Sequence, residues 1–242
     1  MPRKTVRLPR AGEVHVWHLS LDVDEDTRVR GMSVLSESEK RRAAGFHLAR
    51  DEARFVVSHG CLRHILARYT GTEPETLSFV ISEFGKPSLK AVREEGSVRF
   101  NMAHSGDAAL VAVSHDREIG VDIEFVRRLD DFPGVARCCF SPRELDLLRS
   151  CGESEYMEMF YAFWTRKEAY VKARGEGMSL DLAGINVTAA PGVLDGRWHI
   201  QDLGMYRGCK CALAAEGPIT DVRFVEGGAL QTGGENPRVA GE

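Results

Sequence analysis

The chain has 242 residues, of which 43% are hydrophobic and 28% charged, which suits one large domain or two small ones with real cores. A formal net charge of −4 weighs against an extended nucleic-acid footprint but leaves room for local basic clusters around a phosphorylated small molecule. No apolar run approaches the roughly 20 residues of a membrane span, and the basic start Met1-Pro2-Arg3-Lys4 is not followed by an apolar signal core.

Residues 14–19 alternate weakly between apolar and polar side chains and predict a first strand. Ser36-Glu37-Ser38-Glu39 has the serine and the glutamate three residues on that make a capping box. Helical patterning then runs to about Tyr69 in two pieces and is punctuated by Gly71. Residues 77–81 read as a strand. Residues 98–102 and 109–113 read as two more, joined as a hairpin by Ser105-Gly106-Asp107. Residues 118–124 continue as a strand. Ser141-Pro142-Arg143-Glu144 opens a helix with a capping serine and proline at its first position. A long helix is expected over 155–174, stopped by Gly175. Strands are expected at 185–188, 198–203, 210–215 and 222–225. From Gly227 the chain is glycine-rich with little to bury, and residues 227–242 are expected to be a disordered tail.

Helix-rich stretches followed by strands occur twice, with a junction near 115–120, which is compatible with two α+β lobes. The six cysteines, Cys61, Cys138, Cys139, Cys151, Cys209 and Cys211, show no paired metal-ligand spacing. They are expected to be reduced, mostly structural thiols of a cytoplasmic protein.

Two segments carry the chemistry. In the run Phe160 to Lys172, the residues Trp164, Glu168 and Lys172 recur every four positions, so one helix face presents an aromatic ring, a carboxylate and an ammonium. In Gly120-Val121-Asp122-Ile123-Glu124, residues two apart share a side of the strand, so Asp122 and Glu124 converge while Val121 and Ile123 face the core. Three carboxylates on two rigid elements, with a lysine one turn beyond, suggest a hard-metal site for phosphate chemistry. Taken alone, an Asp-x-Glu pair is more often a solvated strand edge, and Glu168 with Lys172 more often a helix ion pair. Gly85-Lys86-Pro87 shapes a turn whose lysine can reach an adenine or a phosphate. His104-Ser105 stands at a strand end, where an imidazole and a hydroxyl can bind phosphate oxygens.

The two segments resemble the signatures of the 4'-phosphopantetheinyl transferases, of the monomeric, double-lobed, surfactin-synthetase-activating type. Gly85-Lys86-Pro87 and Phe100-Asn101-Met102-Ala103-His104-Ser105 match as well, and the resemblance runs in order from about Leu35 to about Glu226. It implies an α+β fold of two similar α/β lobes in a pseudo-twofold arrangement, with the active site between them. The lobes would be residues 1–117, binding the coenzyme A nucleotide, and 118–226, carrying the metal site and catalytic helix.

The implied reaction moves 4'-phosphopantetheine from coenzyme A to a serine of an apo acyl or peptidyl carrier protein and releases adenosine 3',5'-bisphosphate. Mg2+, with Mn2+ as a substitute, would be held by Asp122, Glu124 and Glu168, Glu124 either directly or through water. Glu168, or a water it orients, would take the serine proton. Lys172 and Lys167 would meet the pyrophosphate, Lys172 also serving the leaving oxygen. Arg42 would bind the 3'-phosphate, with Arg54 a second cation, and Lys86, His104 and Ser105 would hold the nucleotide end. No nucleic acid or membrane is expected among the partners. Met102-Ala103 stands where the family often has a small hydroxyl before the histidine, and Thr165 replaces a common serine.

Two alternatives have other consequences. A coenzyme A- or carrier-protein-binding module without turnover would keep the basic residues and lose the carboxylates, all three of which are present. Another Mg2+-dependent phosphotransferase acting on a nucleotide should carry a G-x-x-x-x-G-K-[ST] loop, and this sequence has none.

Overall fold

The computed structural model describes residues 6–90, 96–128 and 131–225. The first half runs β1 (Glu13–Ser20), α1 (Glu25–Ser33), α2 (Glu37–Ala43), α3 (Ala49–Thr70), a small hairpin of β2 (Phe79–Ile81) and β3 (Pro87–Leu89), then β4 (Val98–Ser105) and β5 (Ala108–His115). The second half runs β6 (Ile119–Phe125), α4 (Phe132–Cys139), α5 (Pro142–Ser150), α6 (Glu153–Arg174), β7 (Gly192–Leu194), β8 (Trp198–Tyr206), β9 (Cys209–Glu216) and β10 (Asp221–Phe224). Two four-stranded sheets result, in the orders β10-β1-β5-β4 and β6-β9-β8-β7.

Alternation along the strands sorts side chains into three layers of core. Trp17, Leu19, Val111 and Val113 point outward and pack with Val57, Ile65 and Leu66 of α3. Val14, Val16, Leu110 and Ala112 point the other way and meet Ile119, Val121, Ile123 and Leu213 of the second sheet. Ile200, Ala212 and Ala214 face α6 through Phe160, Phe163 and Tyr170. The arrangement is helix, sheet, sheet, helix.

The halves repeat one unit. β1-β5-β4 under α3 has the connectivity of β6-β9-β8 under α6. Both long helices have 22 residues and end on a left-handed glycine, Gly71 at φ 69° and Gly175 at φ 70°. Both preceding helices open with a capping box, on Ser36 and Glu39 and on Ser141 and Glu144. Each box glutamate takes a buried cation from the fifteenth residue of the long helix. Arg63 is 2.7 Å from Glu39, and Lys167 is 2.8 Å from Glu144.

Both capping boxes, the two-piece helix, the 98–115 hairpin and the long helix stand where the sequence predicts them. Residues 185–188 do not form the expected strand. Side chains satisfy that backbone instead: Glu144 accepts from the Val187 N–H, Arg166 donates to the Val187 carbonyl and Lys167 to that of Ile185. The last strand, β10, leaves the second half and pairs in parallel with β1. Helices α1 and α4 were not anticipated. The tail expected at 227–242 lies outside the described residues. Among the described residues no helix is long and apolar enough to cross a membrane.

Candidate active site

Gly120 sets the geometry. A Cβ there would lie 2.1 Å from the Ala169 carbonyl oxygen and 2.3 Å from the Ala173 nitrogen, so only glycine lets α6 settle this closely on β6. Two residues along the same face, Asp122 is 2% exposed. Its Oδ1 accepts from Lys172 Nζ at 2.5 Å, while its Oδ2 is buried with no partner among the described residues. Burial pushes the Asp122 carboxyl up to about 7; Lys172 opposes the shift, and Glu124 and Glu168 add to it. Burial also raises Glu168, again opposed by Lys172 and reinforced by Glu124. The three carboxylates therefore feel one another across the β6–α6 seam. Lys172 makes its ion pair with Asp122, which goes against reading it as an ordinary helix-surface partner of Glu168.

Ser105 joins this seam to a cavity of about 460 Å3. Its hydroxyl donates to Glu124 Oε2 at 3.0 Å and accepts from the Phe125 N–H at 3.0 Å. The cavity is lined by Ser105, His104, Arg42 and Arg54, with Phe46, Phe55 and His59 as an aromatic wall and Asp51 at its edge. Arg42 lies over the Phe55 ring at 5.1 Å and has no ion pair among the described residues. Arg54 is already engaged, 2.8 Å from Asp107 and 3.7 Å from Asp51. Desolvation, with the nearby Lys172 and Arg54 cations, holds the His104 imidazole below its usual range.

The structure thus brings Asp122, Glu124, Glu168 and Lys172 to one seam, and Arg42, Arg54, His104 and Ser105 to the adjoining cavity. It does not bring Lys86 or Lys167 there. Lys86 lines a separate cavity and donates to Glu118 at 2.7 Å and to the Ala173 carbonyl at 2.8 Å. Lys167, expected among the pyrophosphate cations, is fully buried, its ammonium shared between Glu144 and the Leu182 and Ile185 carbonyls. It points into the core because position 167 falls on the α5 side of α6. Trp164 stacks on Phe160 at 6.4 Å, a packing role. Sequence reasoning missed Phe46, Phe55 and His59. Asp51, Phe55 and His59 follow at four-residue spacing on α3, a signal that could have marked one helix face.

The donor set is all oxygen, as a hard divalent cation prefers, and the partnerless Asp122 Oδ2 is the kind of atom such an ion would satisfy. Among the described residues, however, no group of three or more His, Cys, Asp or Glu side chains is arranged as a ready-made metal site. Lys172 supplies the positive charge beside Asp122.

Comparison with known proteins agrees with this geometry. Residues 118–199, which hold the carboxylates and α6, match the family model described as the 4'-phosphopantetheinyl transferase superfamily. Residues 24–116, which hold the cavity wall, match the N-terminal model of a 4'-phosphopantetheinyl transferase. The chain is 35% identical over 209 residues to the 4'-phosphopantetheinyl transferase HetI of Nostoc sp. strain PCC 7120, covering 85% of this chain and 88% of that one. It is 30% identical over 170 residues to a 4'-phosphopantetheinyl transferase of Bacillus subtilis, covering 69% and 71%. It is 25% identical over 175 residues to Sfp of Bacillus subtilis strain 168, covering 72% and 75%. The fold and both family matches are those of a transferase. The chain belongs to the 4'-phosphopantetheinyl transferase family.

Proposed function

We propose that this protein transfers 4'-phosphopantetheine from coenzyme A to a serine of an apo acyl or peptidyl carrier protein, acting as a cytoplasmic monomer. The observation that supports this most is the seam itself: a buried aspartate with one partnerless oxygen, flanked by Lys172 and two more carboxylates, opening through Ser105 onto an arginine-lined cavity.

Arg42 would bind the 3'-phosphate, since its guanidinium lines the cavity without an anionic partner among the described residues. Arg54, His104 and Ser105 would hold the rest of the nucleotide end. Lys86 reaches it only by exchanging its present contacts with Glu118 and Ala173. Asp122, with Glu124 and Glu168, would hold Mg2+ or Mn2+, which when bound would place positive charge against the pyrophosphate. The serine oxygen forms a bond to the phosphorus bearing the pantetheine arm as the anhydride P–O bond breaks, and adenosine 3',5'-bisphosphate leaves with the electron pair. Glu168, whose carboxyl burial raises against the pull of Lys172, or a water it orients, takes the serine proton. Lys172 stabilises or protonates the departing oxygen.

The test is incubation with coenzyme A, Mg2+ and apo carriers from fatty-acid, polyketide and peptide-synthetase systems, read by intact mass. Addition of one phosphopantetheine to at least one carrier is expected. Asp122→Ala and Glu168→Ala should each slow it by about a thousandfold or more while remaining folded. Coenzyme A binding with no mass gain on any carrier would instead mark a binding module without turnover. Variants within about tenfold of the parent would remove the carboxylates from the mechanism.

A further inference from the structure

Strands β4 and β6 are each the last strand of their sheet, and among the described residues no backbone ladder joins the two sheets. Side chains of β4 make the connection. Asn101 Oδ1 accepts from the Val121 N–H at 2.9 Å, and Ser105 Oγ accepts from the Phe125 N–H at 3.0 Å. Two residues four apart on one strand meet two N–H groups four apart on the other, so the spacing matches and a slip of register would break both contacts. Ala103, between them on the same face, packs against Val121 and Ile123 in the core between the sheets.

Asp122 and Glu124 lie between the two clamped positions. His104 and Ser105, on the opposite strand, belong to the nucleotide cavity. Asn101 is 6% exposed, and a backbone N–H needs an oxygen acceptor, so the amide's orientation is fixed by its partner. Water cannot readily replace it. Its loss leaves the Val121 N–H buried and unpaired, one residue before Asp122.

We propose that Asn101 is a positioning residue for the transfer reaction: with Ser105 it clamps β4 to β6 and fixes the carboxylates against the nucleotide cavity. The inference rests on the functional reading of Asp122 and Glu124 given above. A merely structural Asn101 would affect stability and leave the chemistry of the folded enzyme alone.

The experiment compares the full chain with Asn101→Leu, which keeps the volume and removes the acceptor, and Asn101→Thr, which restores a hydroxyl of the kind that serves Phe125. Turnover is measured with a carrier the parent modifies, coenzyme A affinity by calorimetry, and melting temperature alongside, with Asp122→Ala as a parallel sample. Asn101→Leu should lower kcat by about tenfold or more with coenzyme A affinity within about threefold, and Asn101→Thr should recover part of the rate. If Asn101→Leu does not fold, Asn101→Ala is read in the same way. An undiminished kcat in Asn101→Leu, or no recovery in Asn101→Thr, overturns the clamp provided Asp122→Ala is inactive. Turnover retained by Asp122→Ala overturns the functional reading and the clamp together.

Discussion

Replacing Gly120 by alanine should damage this enzyme more than a single methyl group suggests. The added Cβ meets main-chain atoms in the middle of α6: the Ala169 oxygen at 2.1 Å, the Ala173 nitrogen at 2.3 Å and the Ala173 Cα at 2.9 Å. None is the end of a flexible side chain, and Ala169 and Ala173 are themselves fully buried. Normal contact between heavy atoms lies near 3.5 Å, so the helix must retreat by about 1 Å. Overpacking of this kind costs about 1–3 kcal/mol of stability. Glu168 and Lys172 ride on the turns that move, while Asp122 stays with β6. A displacement of about 1 Å at reacting groups can lower kcat by about a hundredfold. Urea unfolding and the carrier-modification assay measure the two effects. Coenzyme A affinity should change little, because the cavity is walled by α2, α3 and β4. A stability loss under about 0.5 kcal/mol with near-parental turnover would refute the close-approach reasoning.

Arg42→Ala should erase most of the preference for coenzyme A over its 3'-dephospho form, worth about 1.5–3 kcal/mol for a charged hydrogen bond; equal discrimination by both proteins in calorimetry would move the 3'-phosphate elsewhere. Lys167→Met should cost about 3–5 kcal/mol in thermal or urea unfolding by stranding Glu144 in the core, whereas a weaker coenzyme A interaction at unchanged stability would return Lys167 to the cleft. His18 and His59 are held down to about 4 by burial, so both are neutral in the native state at pH 5 while the unfolded chain is protonated. Their contribution is complete above the unfolded value of 6.5 and is lost as pH falls towards 4, by about 2 kcal/mol for each at pH 5. Asp122, raised to about 7, acts with the opposite sign in the same window, so the comparison is the parent against His18→Gln and His59→Gln. Urea midpoints that fall as steeply from pH 7 to pH 5 in both variants would contradict it.

What could be read in the chain was what local rules dictate. Both capping boxes and both terminal glycines announce helix ends through the chemistry of a few adjacent residues, and period-two alternation placed Asp122 and Glu124 on one side of β6. Non-local partners were not legible. Residues 185–188 have strand-like composition, but Glu144, Arg166 and Lys167, all distant in sequence, claim their backbone groups. β10 reads as one more strand of the second half, yet its partner is β1, more than 200 residues earlier. Lys167 and Lys172 look alike in sequence. Only the packing of α6 between α5 and β6 makes one a buried tie and the other a neighbour of Asp122.

The repeated unit explains why the carboxylate seam exists in only one half. Trp17 pairs with the fourth residue of β5, as Asp122 pairs with the fourth residue of β9. Arg68 and Lys172 are both the twentieth residue of their helices. In the first half Arg68 lies over the Trp17 ring at 4.9 Å; in the second Lys172 bonds Asp122. The neighbouring pair diverges too. His15 bonds the Tyr69 hydroxyl at 2.8 Å, where the second half has Gly120 against Ala173. Two rings and an indole wedge α3 away from its sheet and fill the seam. Glycine and alanine let α6 descend until its ammonium reaches a strand aspartate. The same scaffold thus supplies a packed wall in one half and a polar seam in the other. The difference comes from a few side chains at equivalent positions, with Gly120 setting how close the helix can come.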